Sequence, residues 1–107
     1  MSLSTHVLDV VKGIPAAGVA VRLEVRDAAG EWQAVQTART DADGRVNEFA
    51  ALTGPTPARL IFDTAGYLGP DCFFPEVVVT FQVSDGDGHL HVPLLLSTYA
   101  YSTYRGS

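Results

Sequence analysis

The chain has 107 residues, 47% of them hydrophobic and 18% charged, with a formal net charge of -5. That length and apolar content suit one domain, residues 1–107, around one core, and they exclude a disordered chain. Seven basic against twelve acidic side chains, with Lys12 the only lysine, leave no basic stripe for nucleic acid or an anionic membrane surface.

The opening Met1–Thr5 has no basic start and no apolar run, so no secretory signal is expected and the cytoplasm is the expected compartment. Ser4, His6, Leu8 and Val10 fall on one face of a first strand. Val19, Val21, Leu23 and Val25 alternate with Ala20, Arg22, Glu24 and Arg26, which predicts a strand with one buried and one wet face. Asp27–Gly30 then turns the chain, and Glu31 to Thr40 is the return strand, with Trp32 and Val35 as packing residues. Asp41-Ala42-Asp43-Gly44 reads as a second hairpin turn. Neither it nor Asp85–Gly88 is a calcium loop: for the former, the required acidic positions are held by Arg39 and Ala50.

Ala58, Leu60 and Phe62 alternate with Arg59, Ile61 and Asp63 in another strand, and Thr64 to Leu68 suits a short helical turn. Val77, Val79, Phe81 and Val83 share one strand face. Asp85-Gly86-Asp87-Gly88 reads as a further hairpin turn, His89 to Leu96 as a strand and Tyr99 to Thr103 as the last one. No segment holds a helical period over ten residues, and the longest apolar run, Val92–Leu96, is far too short to cross a bilayer. Short strands with frequent turn signals predict an all-β sandwich of about eight strands with one short helix. Cys72 is the only cysteine, which excludes an intrachain disulfide and a cysteine metal site and fits a half-buried thiol.

Leu90, Val92, Leu94 and Leu96 are the natural core face of their strand, so His91 points away from the core together with His89, Pro93 and Leu95. Imidazoles that titrate near neutrality exchange protons at working pH, and an arginine beside them can hold a developing oxyanion. A metal reading exists beside this one, because His89, His91 and His6 have the donor set of a three-histidine zinc site. No carboxylate is fixed nearby to orient such ligands, and no metal is expected. There is no G-x-S-x-G elbow and no nucleotide-binding glycine pattern.

Six segments taken together resemble one family. They are Ser4-Thr5-His6-Val7-Leu8-Asp9, then Gly13-Ile14-Pro15-Ala16-Ala17-Gly18-Val19, then Thr40-Asp41-Ala42-Asp43-Gly44-Arg45, then Phe73-Phe74-Pro75-Glu76-Val77, and the closing pair His91-Val92-Pro93-Leu94-Leu95-Leu96-Ser97 and Tyr101-Ser102-Thr103-Tyr104-Arg105-Gly106-Ser107. The set is similar to the 5-hydroxyisourate hydrolases, or transthyretin-like proteins, over essentially the whole chain. The terminal Tyr-Arg-Gly-Ser is its specific part, because transthyretin lacks it. The chain departs from the family's common Ser-Pro-Tyr-Gly-Tyr at Ser97-Thr98-Tyr99-Ala100-Tyr101.

The resemblance implies a transthyretin-like two-sheet sandwich and hydrolytic opening of the 5-hydroxyisourate ring to 2-oxo-4-hydroxy-4-carboxy-5-ureidoimidazoline, between urate and allantoin. It implies His6, Arg45 and His91 as catalytic residues and Tyr104, Arg105, Gly106 and Ser107 as substrate-binding ones. It implies no metal or organic cofactor, and a homotetramer with sites where subunits meet. The competing expectation is a transthyretin-like protein that binds small aromatic ligands without catalysis.

Overall fold

A computed structural model describes residues 1–107. Nine strands and one helix follow in order: β1 (Ser2–Asp9), β2 (Ile14–Pro15), β3 (Ala20–Arg26), β4 (Trp32–Arg39), β5 (Arg45–Val46), β6 (Thr56–Phe62), α1 (Thr64–Leu68), β7 (Val77–Val83), β8 (His89–Leu96) and β9 (Tyr101–Thr103). One sheet runs β2-β1-β8-β9, with β5 also paired to β1; the other runs β4-β3-β6-β7. The core of 18 buried residues lies between them, centred on Leu3, Val7, Val21, Leu23, Leu60, Phe62 and Leu94. No helix is long and apolar enough to cross a membrane.

Strand alternation decides which residues enter that core. On β1, Leu3, Thr5, Val7 and Asp9 are buried. On β8, Leu90, Val92, Leu94 and Leu96 meet them from the neighbouring strand. The residues between them are turned to the other face of the sheet. The β1–β8 pairing is parallel, in the register Ser4↔His91 and His6↔Pro93.

Two expected hairpins are sheet crossovers instead. Asp41–Gly44 carries the chain from β4 in one sheet to β5 in the other, and Asp85–Gly88 does the same from β7 to β8. The turn chemistry is local and present in both, but the strand each turn delivers finds its partner elsewhere. Of these three aspartate- and glycine-bearing turns, only Asp27–Gly30 joins paired neighbours, β3 and β4.

Two side chains depart from their expected faces. Val35 is exposed because a bulge between Leu23 and Glu24 skips it in the register, which passes from Gln36 to Ala34. Trp32 does pack, under the Arg59 guanidinium at 4.2 Å. Glu24, expected on the wet face, is buried between Arg22 at 2.9 Å and Arg59 at 2.6 Å. Burial alone would raise the Glu24 pKa; the bonds from Arg59 and Arg22 outweigh it and hold the carboxyl below its usual range. Helix α1 matches the expected bounds, and its Tyr67 hydroxyl donates to buried Asp9 at 2.8 Å, fastening the helix to the end of β1.

Gly44 fixes how the first crossover meets β1. Its φ is 74°, and a Cβ there would lie 2.4 Å from the Val7 carbonyl oxygen. The Gly44 carbonyl in turn accepts from Val7 N at 2.7 Å. Gly44→Ala is expected to destabilise the fold by about 1–3 kcal/mol from the left-handed backbone alone. Thermal unfolding checks this; a loss of about 4–8 °C per kcal/mol is expected for a chain of this size.

Candidate active site

Ser4 and His6 on β1, Arg45 on β5 and His89, His91 and Pro93 on β8 occupy one outward face of the β1-containing sheet. His6 and Arg45 are direct cross-strand partners in the antiparallel β1–β5 pair. His91 pairs with Ser4, so it sits one diagonal step from His6, within reach of long side chains. Expected catalytic residues far apart in the chain are thus neighbours on three adjacent strands.

Each has a defined hydrogen-bond environment. His6 Nε2 lies 2.9 Å from the Asp43 carbonyl oxygen. A carbonyl only accepts, so this nitrogen carries a proton and donates. Arg45 is exposed, and its guanidinium makes no ion pair within the chain; its backbone N donates to Asp41 Oδ1 at 3.0 Å. His91 is half-buried, and its Nδ1 lies 2.7 Å from Ser4 Oγ. Burial lowers the His91 pKa below 6.5, and the electrostatic influence of Arg45, then of His6 and His89, pushes the same way against an opposing hydrogen bond to the Ser4 backbone. A neutral imidazole at neutral pH is a competent proton acceptor.

The zinc reading of the histidines meets a different arrangement. Both His89 ring nitrogens face serine hydroxyls, Ser2 Oγ at 2.5 Å and Ser4 Oγ at 2.8 Å, and no group of three His, Cys, Asp or Glu side chains converges as a metal site.

The C-terminal tetrapeptide divides. Gly106 forms a bridge with His91, donating its N–H to the His91 carbonyl at 2.8 Å. A Cβ at Gly106 would lie 2.5 Å from His91 Cδ2, so the bare backbone lets the imidazole ring lie against it. Tyr104 and Arg105 lie beside it on the rim of a cleft of 330 Å³ with Val79, Phe81 and Leu90, and Arg105 reaches exposed toward Asp87 at 3.5 Å. Ser107 is exposed. His91 also lines that cleft, but His6 and Arg45 do not. Gly106→Ala is expected to push the His91 ring aside and lower turnover about 10-fold or more, since a displacement near 1 Å can cost about 100-fold. Unfolding stability is expected to change by less than about 1 kcal/mol, because the tail is peripheral; steady-state rates beside urea unfolding separate the two effects.

Ser97-Thr98-Tyr99-Ala100 closes its turn without the family's proline and glycine. Ser97 N donates to Ala100 O at 3.0 Å and Ser97 Oγ to the same oxygen at 2.9 Å, with no positive φ at Ala100.

The model of the HIUase/Transthyretin family matches residues 3–106. The chain belongs to this family. Among relatives of the HIUase/Transthyretin family, a 5-hydroxyisourate hydrolase of Caulobacter vibrioides is 46% identical over 98% of this chain and 97% of that protein. A uric acid degradation bifunctional protein of Arabidopsis thaliana is also 46% identical, but this chain spans only 37% of its length. Among solved structures, 5-hydroxyisourate hydrolase of Klebsiella pneumoniae superposes with a TM-score of 0.85 at 33% identity, covering 100% of both chains. Sea bream transthyretin, solved with thyroxine, superposes at 0.88 with 34% identity over 97% of this chain and 93% of that one. The fold is therefore common to hydrolases and a carrier within the HIUase/Transthyretin family, and the site has to separate them.

Residues that sequence reading left without a role here are Ser4, Ser2 and the Asp43 carbonyl. Their signal is the spacing Ser2-x-Ser4-x-His6 against His89-x-His91, which acquires meaning only once the two strands pair in parallel.

Proposed function

We propose that the chain is a 5-hydroxyisourate hydrolase, opening the ring to 2-oxo-4-hydroxy-4-carboxy-5-ureidoimidazoline in urate degradation. The observation that carries this reading is the meeting of Arg45, His6 and His91 on one sheet face, with His91 held neutral at neutral pH. Ring opening adds water to a carbonyl carbon and breaks that carbon's bond to a ring nitrogen. His91 Nε2 takes a proton as the water oxygen bonds to carbon. The carbonyl oxygen becomes an oxyanion, which the unpaired Arg45 guanidinium stabilises. When the oxyanion collapses and the C–N bond breaks, the leaving nitrogen takes that proton from protonated His91, which returns to neutral, with His6 helping to position the water. Tyr104, Arg105, Gly106 and Ser107 act as binding residues, Gly106 by seating His91.

On the outward face Arg45 is exposed, and a well-filled sandwich leaves little interior room for a substrate. A second copy supplies a wall for this face in the homotetramer we propose. Val10, Val11, Tyr99 and Tyr101, on the same sheet and its connections, are exposed at 51%, 65%, 75% and 40%, and give the contact its apolar area. A lone free thiol suits the reducing cytoplasm. Activity followed on dilution, with light scattering, checks the assembly: specific activity is expected to fall as the tetramer dissociates, and a fully active monomer contradicts a shared site.

The similarity to thyroxine-bound transthyretin favours a carrier as the second reading. Generating 5-hydroxyisourate in place with urate oxidase and following its ultraviolet decay decides between them. The hydrolase accelerates decay well beyond the spontaneous background; a carrier leaves it unchanged.

A further inference from the structure

Behind His91 the outward face carries a second row of polar side chains. Ser4 Oγ lies between His91 Nδ1 at 2.7 Å and His89 Nε2 at 2.8 Å, and His89 Nδ1 lies 2.5 Å from Ser2 Oγ. The parallel register builds this row, because Ser4 pairs with His91 and Ser2 with His89. A hydroxyl and a neutral imidazole each carry one proton to donate, so with neutral rings the row has two self-consistent directions.

In one direction His91 Nδ1–H donates to Ser4, Ser4 O–H donates to His89 Nε2, and His89 Nδ1–H donates to Ser2. The Ser2 O–H then turns to the Gly88 carbonyl oxygen, at a long 3.5 Å. In the other direction every donor reverses, and His91 carries its proton on Nε2. Only the first gives the Ser2 hydroxyl proton and the Gly88 carbonyl to each other. Gly88 O can only accept, so it polarises the row in that sense. His91 Nε2 has no partner in the chain, and no side-chain nitrogen or oxygen is buried without one, so this nitrogen opens to water.

We propose that Ser4 is the positioning residue for His91: it holds the ring as the Nδ1–H tautomer, backed by His89 and Ser2, and leaves the Nε2 lone pair free for a proton from water. The tautomer follows from the row alone; its use in ring opening rests on the hydrolase reading above. A histidine side chain free in water favours the Nε2–H form, which cannot accept a proton at the open nitrogen. Removing the Ser4 hydroxyl therefore converts His91 from base to bystander without touching its position on β8. Ser4 is buried and small, and Ser4→Ala removes one oxygen without opening a core cavity.

Long-range proton–nitrogen correlation spectra of ¹⁵N-labelled protein, at a pH where His91 is neutral, report which ring nitrogen holds the proton. The wild type is expected to show Nδ1–H at His91 and Ser4→Ala to show Nε2–H, with Ser4→Thr restoring the first pattern. His89→Phe, at an exposed position, breaks the row behind Ser4 and is expected to shift the same populations. In the ring-opening assay Ser4→Ala is expected to lose about 10-fold or more in kcat, within the ~10²–10⁴-fold that a positioned base contributes. KM is expected to stay within about two-fold, since the hydroxyl is not a substrate contact. A folded Ser4→Ala protein that keeps Nδ1–H at His91, or a wild type already in the Nε2–H form, overturns the assignment. A tautomer that switches as described in a protein that does not accelerate ring opening upholds the row and sinks the hydrolase reading alone.

Discussion

Substituting alanine for His91 is expected to lower kcat for ring opening by roughly 10²–10⁴-fold, the range a positioned general base supplies. The pH profile identifies the cause. Burial first, then the electrostatic influence of Arg45 and of the neighbouring His6 and His89, lowers the His91 pKa below 6.5. The base form therefore predominates at neutral pH, and kcat/KM of the wild type falls only as pH drops below 6.5 through that lowered value. His91→Ala is expected to lose this acid limb along with its rate. The same shift has a stability consequence of fixed sign. Between the folded pKa and 6.5 the unfolded chain binds the proton more readily, so stability declines as pH falls through that window and gains nothing from His91 above it. Rate profiles and urea unfolding across the same pH series check both limbs.

Arg45→Ala is expected to cost about 10²–10³-fold in kcat/KM, the usual loss on removing one donor from an oxyanion site. Arg45 is exposed and free of ion pairs, so stability is expected to move by less than about 0.5 kcal/mol. Its charge also reaches His91: without it, one of the causes lowering that pKa disappears, and the acid limb is expected to move up toward 6.5. Arg45→Lys restores the charge but not the planar fork of donors, and is expected to return the limb to lower pH while recovering only part of the rate. A rate loss with no movement of the limb would place Arg45 on the substrate but away from His91.

Local signals carried the elements further than the architecture. The alternating runs of β3, β6, β7 and β8 and the short helix at Thr64–Leu68 are legible because burial on one face writes a period of two, and a cap and a turn write their own residues. Sheet membership is not, since Asp41–Gly44 and Asp85–Gly88 have the composition of hairpin turns and lead to strands that pair elsewhere. Glu24 looked wet because its alternation is that of a half-exposed strand; only the antiparallel neighbour brings Arg59 over it. For the site, periodicity placed His91 outside the core, while the family resemblance nominated His6, Arg45 and the Tyr104–Ser107 tail. The long-range β1–β8 register has no local signature, and it is what joins Ser4 to both His89 and His91.

The molecule offers a planar ligand two places: the polar face of His6, Arg45 and His91, and the apolar floor of the adjoining cleft at Val79, Phe81 and Leu90. A crystal structure with a stable oxidised-purine analogue decides between them most directly. The analogue is expected against the polar face, with an oxygen on the Arg45 guanidinium and His91 Nε2 directed at the reacting carbon or a water beside it. An analogue seated in the Val79–Phe81 cleft, out of reach of Arg45 and His6, would contradict the account.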